Sequence, residues 1–251
     1  MAYVGHAQSM SARQVLDRSA KVYASCSSYL DEGQVKDLYI QKDNIQRDNI
    51  QRDNRQRTTI KPFSTAFVRP AQFRFEFKNR RGEEEWDSFI AWQNGEHIIL
   101  RSALHVGDKN EPDLITPIAR LTGISSGSAL TIPRLLMPYL LNAGRSIMSL
   151  TELKPVAEES LDAVAAYRIE GKDFQGTPVT LWIDKERLLI LKIYQKKRIR
   201  DFEVETTTTY KPQVNVHVPS DKLALDQPEL SLWPARKTAR VSYQARLRMS
   251  P

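Results

Sequence analysis

The strictest constraint in this chain is a two-residue rhythm. Phe73, Phe75 and Phe77 alternate with Arg74, Glu76 and Lys78. Trp86, Ser88, Ile90 and Trp92 share one parity, while Asp87 and Gln93 take the other. Asn94-Gly95 then offers a two-residue hairpin turn before a further run over 96–105. Successive side chains of a strand point to opposite faces, so this stretch predicts an antiparallel sheet with one buried and one wet face.

More strands are expected at 35–40, after a turn at Asp31-Glu32-Gly33, and at 150–156, 165–172, 178–184, 188–196 and 204–210. Trp182-Ile183-Asp184 leads through Lys185-Glu186-Arg187 into Leu188-Leu189-Ile190 and reads as a hairpin. Thr206 to Thr209 is a β-branched run that favours a strand. Val214, Val216 and Val218 alternate up to Pro219, and 223–225 completes a last strand.

Helical spacing appears in three places. Ser11 caps a helix running to about Ser28, with Val15, Leu16, Ser19, Val22, Tyr23 and Cys26 on one stripe. Residues 113–121 are amphipathic and end near Gly123. Residues 132–141 hold seven apolar side chains in ten, with Pro133 suited to a first turn. A helix apolar nearly all round must be covered on most sides. It is either core against the sheet or the border of an apolar cavity. Strands in runs with helices grouped at the start and middle give an α+β class on one antiparallel sheet, not an alternating parallel one.

Composition narrows the function classes. With 251 residues, 41% hydrophobic and 27% charged, the chain is not collagen-like, wholly disordered or disulfide-stapled. No apolar run approaches the roughly 18–20 residues of a membrane-crossing helix. The net charge of +7 is concentrated: 41–57 carries +2 and 229–251 carries +4, which leaves the body about neutral. The basic 229–251 tail suits a solvated terminus or contact with an anionic membrane surface. Nucleic-acid binding is not expected, because the body lacks a basic stripe with interleaved aromatics.

Residues 43–57 repeat Asp-Asn-Ile-Gln-Arg with period five, which matches neither helix nor strand, and read as a solvated extension of a hairpin loop. Gly5-His6-Ala7-Gln8 resembles the end of a signal-peptide cleavage region, so residues 1–10 are expected to be a signal remnant or a disordered start. An exported chain of the periplasm or cell envelope follows from that expectation, and a cytoplasmic one if Met1 is the true start. Cys26 stands alone on the apolar stripe and is expected to be a buried thiol.

Catalytic patterns are weak. No two of His6, His97, His105 and His217 have helical metal-pair spacing, so no metal site or cofactor is expected. Gly123-Ile124-Ser125-Ser126-Gly127 matches GxSxG, with Asp184 and His217 downstream. A nucleophile elbow needs a strand before its serine, whereas here a helix precedes it. Asp201, Glu203 and Glu205 share one strand face and read as an exposed face paired with Lys or Arg on a neighbouring strand. A curved sheet, aromatics on one parity and a very apolar insert remain. Together they suit either an enclosed apolar ligand or ordinary core packing.

One segment carries a family resemblance. Phe67-Val68-Arg69-Pro70-Ala71-Gln72-Phe73-Arg74-Phe75 is similar to the Arg-Pro-x-x-Phe strand turn of the bacterial outer-membrane lipoprotein carriers, the LolA/LolB-like group of lipoprotein-sorting proteins. The Asn94-Gly95 hairpin, the apolar insert and the Trp182-Ile183-Asp184 hairpin follow in the expected order, and the likeness covers about 11–228. The resemblance implies an unclosed β-barrel with an N-terminal helix and a helical lid, no catalytic centre, and a hydrophobic cavity for acyl chains. It makes Arg69 the residue that holds the lid. Acyl chains of a lipid or acylated lipoprotein would lie against Phe67, Phe73, Phe75, Ile90, Trp92, Leu135, Leu136, Tyr139 and Leu140, and an envelope acceptor protein would be a partner. The 43–57 repeat and the basic tail depart from the family. The rival readings are an envelope interaction module with a filled core and a serine hydrolase using Ser125.

Overall fold

The computed structural model describes residues 10–41, 56–80, 85–103, 108–140, 146–199 and 201–225. Ala12–Ser25 forms helix α1. A capping box starts it: Ser11 Oγ accepts from the Gln14 amide, and Gln14 Oε1 accepts from the Ser11 amide. Val15, Leu16, Ser19 and Tyr23 form its buried stripe.

Strands follow as β1 (Ser28–Gln41), β2 (Gln56–Val68), β3 (Gln72–Arg80), β4 (Trp86–Asn94), β5 (His97–Ser102) and the short β6 (Lys109–Asn110). The insert consists of α2 (Ile115–Ile124), α3 (Ser128–Leu136) and a 3-10 turn, Pro138–Leu140. Strands resume with β7 (Ala157–Leu161), β8 (Val164–Lys172), β9 (Pro178–Asp184), β10 (Ile190–Ile199), β11 (Phe202–Tyr210) and β12 (Gln213–Val214), and the one-turn α4 (Ser220–Leu223) follows.

All strands join one antiparallel sheet in the order β6-β5-β4-β3-β2-β1-β11-β10-β9-β8-β7, with β12 beside β1. Among the described residues β6 pairs with β5 and β7 with β8, so the two edges do not meet and the barrel is unclosed. This helix-first open sheet with a helical insert is the arrangement that the resemblance implied. Register fixes the faces. Phe73, Phe75 and Phe77 stand opposite Phe67, Thr65 and Phe63 on β2. Tyr29, Val35 and Asp37 of β1 share that face. Helices α1, α2 and α3 cover it, forming one core with Leu16, Tyr23, Ile118, Leu121, Ile132 and Leu136.

Several sequence expectations change. Asp31-Glu32-Gly33 is not a turn but part of β1, which is more than twice as long as expected. Gly33 permits this, because a Cβ there would lie 2.4 Å from both Phe63 Cζ and the Thr209 carbonyl oxygen. Pro133 sits inside α3 rather than in its first turn, because the helix starts earlier, at Ser128, just after Gly127 in the left-handed region (φ 90°). Residues 150–156 make a single bridge, Thr151 to Lys172, instead of a strand. Pro155 cannot donate to a ladder, and Glu152 has φ 47°. After Val214 the expected last strands give way to irregular chain and α4.

Residues 43–55 of the repeat lie between two paired strands, as a hairpin loop would, and outside the described residues, while its last two residues, Gln56 and Arg57, belong to β2. The expected start over residues 1–9, the tail at 229–251, and His6 and His105 also lie outside the described residues. No helix among the described residues is long and apolar enough to cross a membrane.

Candidate functional site

The aromatic face is built by three adjacent strands. Phe67, Phe73, Phe75 and Phe77 are fully buried. Their rings run on into neighbours: Phe63 stacks with Phe75 at 6.0 Å and Phe77 with Phe89 at 4.8 Å between centroids. Above them lie Leu135, Leu136 and Leu140 of the insert, all buried and part of the same core.

The pairing separates the expected acyl-binding set. Phe67, Phe73, Phe75, Leu135, Leu136 and Leu140 come together. Ile90 and Trp92 do not, because their β3 partners are Glu76 and Arg74, on the opposite face of the sheet. Phe89 and Ala91 take the inward positions. Strand β4 is apolar on both parities over 89–92, so its own alternation does not say which parity is inward. Trp92 instead donates from Nε1 to the Leu223 carbonyl, 2.7 Å away. Tyr139 also falls outside the set: it is 68% exposed on the 3-10 turn. The residues missed by sequence reasoning are Phe63, Phe77 and Phe89; the first two share the parity of Phe67 and Phe73 and were legible.

Arg69 lies at the β2–β3 turn, followed by a cis peptide bond to Pro70. Its Nε donates to the Cys26 carbonyl at 2.7 Å. One terminal nitrogen donates to the Ala24 carbonyl at 2.6 Å and to the Leu136 carbonyl at 2.8 Å. A single guanidinium thus joins the β2–β3 turn, the C-terminus of α1 and the C-terminal end of α3. Helix C-termini leave carbonyls without intrahelical partners, and a cation with several planar donors suits them.

The junction between α2 and α3 has its own tie. Ser126, at φ 53° between α2 and α3, donates its hydroxyl to Asp37 Oδ2 at 2.7 Å. Lys61 Nζ lies 3.2 Å from the same carboxylate oxygen and 2.9 Å from Ser126 Oγ, and Thr206 Oγ1 donates to Asp37 Oδ1 at 2.8 Å. Asp37 is buried, and these donors satisfy both of its oxygens.

Ser125 occupies no elbow. It is fully buried between two helices, where its hydroxyl accepts from the Ala129 amide at 3.1 Å and so serves the first turn of α3. Asp184 is engaged elsewhere, accepting from the Glu186 and Arg187 amides in the β9–β10 turn. Cys26 is buried, and burial pushes its thiol up despite the nearby Arg69. No three His, Cys, Asp or Glu side chains converge on a metal-sized space among the described residues.

Two open grooves are lined mostly by residues outside the aromatic core, although Phe63 and Tyr210 border the first. One, of 1340 Å³, runs over the opposite face past Glu32, Gln34, Arg74, Lys192 and Thr207. The other, of 750 Å³, lies between Arg69, Trp92 and the segment carrying His217 and Leu223. Inside the core, Asp31 is a polar intruder at 1% exposure. Burial pushes its carboxyl up to about 7, against the opposing pull of the Lys211 amide bonded to Oδ1.

No protein-family model matches the sequence, and no curated protein sequence matches it. Solved structures do. LprF from Mycobacterium bovis is similar at 10% identity over 83% of this chain and 94% of its own, with TM-score 0.44. The MucA/MucB complex of Pseudomonas aeruginosa is similar at 11% identity over 86% of this chain, with TM-score 0.43; only 61% of that chain is covered. A LolA superfamily protein from Nitrosomonas europaea is similar at 8% identity over 86% of this chain and 99% of its own, with TM-score 0.29.

Proposed function

We propose that this chain is a non-enzymatic binding protein or carrier of the cell envelope, for lipids or lipoproteins, that takes acyl chains between the aromatic face of the sheet and the helical insert. The observation that carries this reading is how the insert is held. Its underside is apolar, with Leu135, Leu136 and Leu140 against phenylalanines, and two polar ties, Arg69 to Leu136 and Asp37 to Ser126, pin the two ends of α3.

A cover attached in this way can be exchanged for an apolar guest. Each buried CH₂ contributes ~0.8 kcal/mol, so a sixteen-carbon chain brings on the order of 12 kcal/mol before ordering costs. That exceeds the ~1.5–3 kcal/mol of a charged hydrogen bond at each tie. Phe67, Phe73, Phe75, Leu135, Leu136 and Leu140 form the acyl-facing set in this reading, with Phe63, Phe77 and Phe89 added. Arg69 is the lid-holding residue. The basic charge of 229–251 suits contact with an anionic membrane surface during delivery to an acceptor.

A fatty acid bearing a diazirine near its methyl end tests the placement. The expected crosslinks, assigned to single residues, fall on Phe73, Phe75, Leu135 or Leu136. Saturable binding with crosslinks confined to the two open grooves overturns it. A second reading rests on a specific observation: Phe67, Phe73, Phe75 and Leu136 leave no accessible surface, as in a filled core. An envelope interaction module would then bind a partner through its surface. No acyl uptake, together with partner capture that is lost when 229–251 is deleted, favours that module.

A further inference from the structure

Four buried polar atoms border the aromatic core without a well-formed hydrogen bond: Asp31 Oδ2, Thr65 Oγ1 and the hydroxyls of Tyr29 and Tyr210, although Tyr29 leans towards Asp31 and Tyr210 towards Thr131 and Thr208. They belong to one place. Asp31 stands directly opposite Thr65, and the two tyrosine hydroxyls are electrostatic neighbours of its carboxyl. All four side chains are at least nine-tenths buried. They also touch the acyl-facing set: Thr65 pairs with Phe75, Tyr29 pairs with Phe67, and the Tyr210 ring meets Phe63 edge-on at 5.5 Å.

Buried polar groups are costly unless they are paired, and native interiors pair nearly all of them. Four at one spot inside an apolar core therefore mark a place for hydrogen-bond donors from elsewhere. Asp31 adds a sign to the site. It forms no ion pair among the described residues, and the Glu32 carboxylate acts on it with like charge. The Lys211 backbone amide bonds to Oδ1, the Glu32 amide and the Tyr29 hydroxyl also act on the carboxyl, and Oδ2 has no well-formed bond.

We propose that Asp31, Tyr29, Tyr210 and Thr65 form a headgroup subsite, and that the ligand is an amphiphile with an ammonium group next to its acyl chain. The inference rests on the acyl-binding reading and deepens it. An ammonium supplies three donors and the missing positive charge. A carboxylate head would meet Asp31 with like charge, and an uncharged alcohol would satisfy the hydroxyls but leave Asp31 without a cation.

Dodecylamine, dodecanol and dodecanoate, titrated below their aggregation concentrations into the full chain at pH 7.5, compare the three heads on one tail. The expected result is dodecylammonium bound at least tenfold more tightly than dodecanoate. Asp31→Asn, which keeps the shape and removes the charge, should erase that preference. Circular dichroism checks that the variant is folded. Equal binding of amine and carboxylate overturns the subsite and leaves ordered water as the partner of these groups. So does a preference that survives in Asp31→Asn. If none of the three binds, the acyl reading itself fails, and the subsite falls with it.

Discussion

Arg69→Ala removes the guanidinium that donates to carbonyls of Cys26, Ala24 and Leu136. Hydrogen bonds from a charged donor contribute about 1.5–3 kcal/mol each, and partial exposure of Arg69 lets water replace some of that. The bonds to Cys26 and Ala24 hold the end of α1, and the bond to Leu136 holds the insert. Losing the Leu136 bond alone, at its lower value of about 1.5 kcal/mol, raises the open population of α3 roughly tenfold. The global loss should be about 2–4 kcal/mol, because α1 loosens too. Hydrogen exchange followed by mass spectrometry separates the effects. Amides of 128–140 should exchange about tenfold faster than the global loss accounts for, while β1 and β11 follow the global stability. Arg69→Lys should recover only part of the effect, since one ammonium cannot span three carbonyls as a planar fork does. If 128–140 slow or speed only in step with β1 and β11, Arg69 is a general brace, and the reasoning about a held cover is refuted.

Other perturbations have defined outcomes. The Asp31 carboxyl titrates near 7 when folded against an ordinary value of 3.8. The folded state therefore keeps a proton that the unfolded chain has released, and stability should fall as pH rises from about 4 to 7 by up to ~4 kcal/mol, then level off. Urea titrations should show that decline, and Asp31→Asn should flatten it. Gly33→Ala should lower stability by about 1–3 kcal/mol, since its methyl would collide with the Thr209 backbone as well as with Phe63; an unchanged urea midpoint would mean that β1 does not pass so close. Asp37→Ala strands Lys61, whose side chain is 12% exposed, and should cost about 3–5 kcal/mol while loosening the α2–α3 junction in exchange measurements.

Much of the fold was legible because the alternation is strict where one face is buried. The phenylalanines of β3, the Asn94-Gly95 turn and the stripe of α1 each specify their own element. Arg69 was legible only through the resemblance, since nothing local shows that its guanidinium reaches back 45 residues to Ala24 and forward 67 to Leu136. Ile90 and Trp92 were misassigned because β4 is apolar on both parities, and only its register with β3 decides between them. Asp31-Glu32-Gly33 looked like a turn because Asp and Gly are turn formers. Tertiary packing overrides that propensity: the Phe63 ring closes over the bare Gly33, and the Lys211 amide bonds to Asp31. The polar cluster around Asp31 was invisible for the same reason, since its members come from β1, β2 and β11, far apart in sequence.

The central claim, that the interior opens to hold an acyl chain, is tested most directly by what the protein carries. The chain would be purified from a host that exports it and extracted with organic solvent, and the extract weighed by mass spectrometry, with uptake of an apolar dye measured on the stripped protein. The account predicts a near-stoichiometric lipid or lipopeptide in the extract, or saturable dye uptake where the carrier was isolated empty. An empty extract together with a stripped, folded protein that takes up no dye contradicts it.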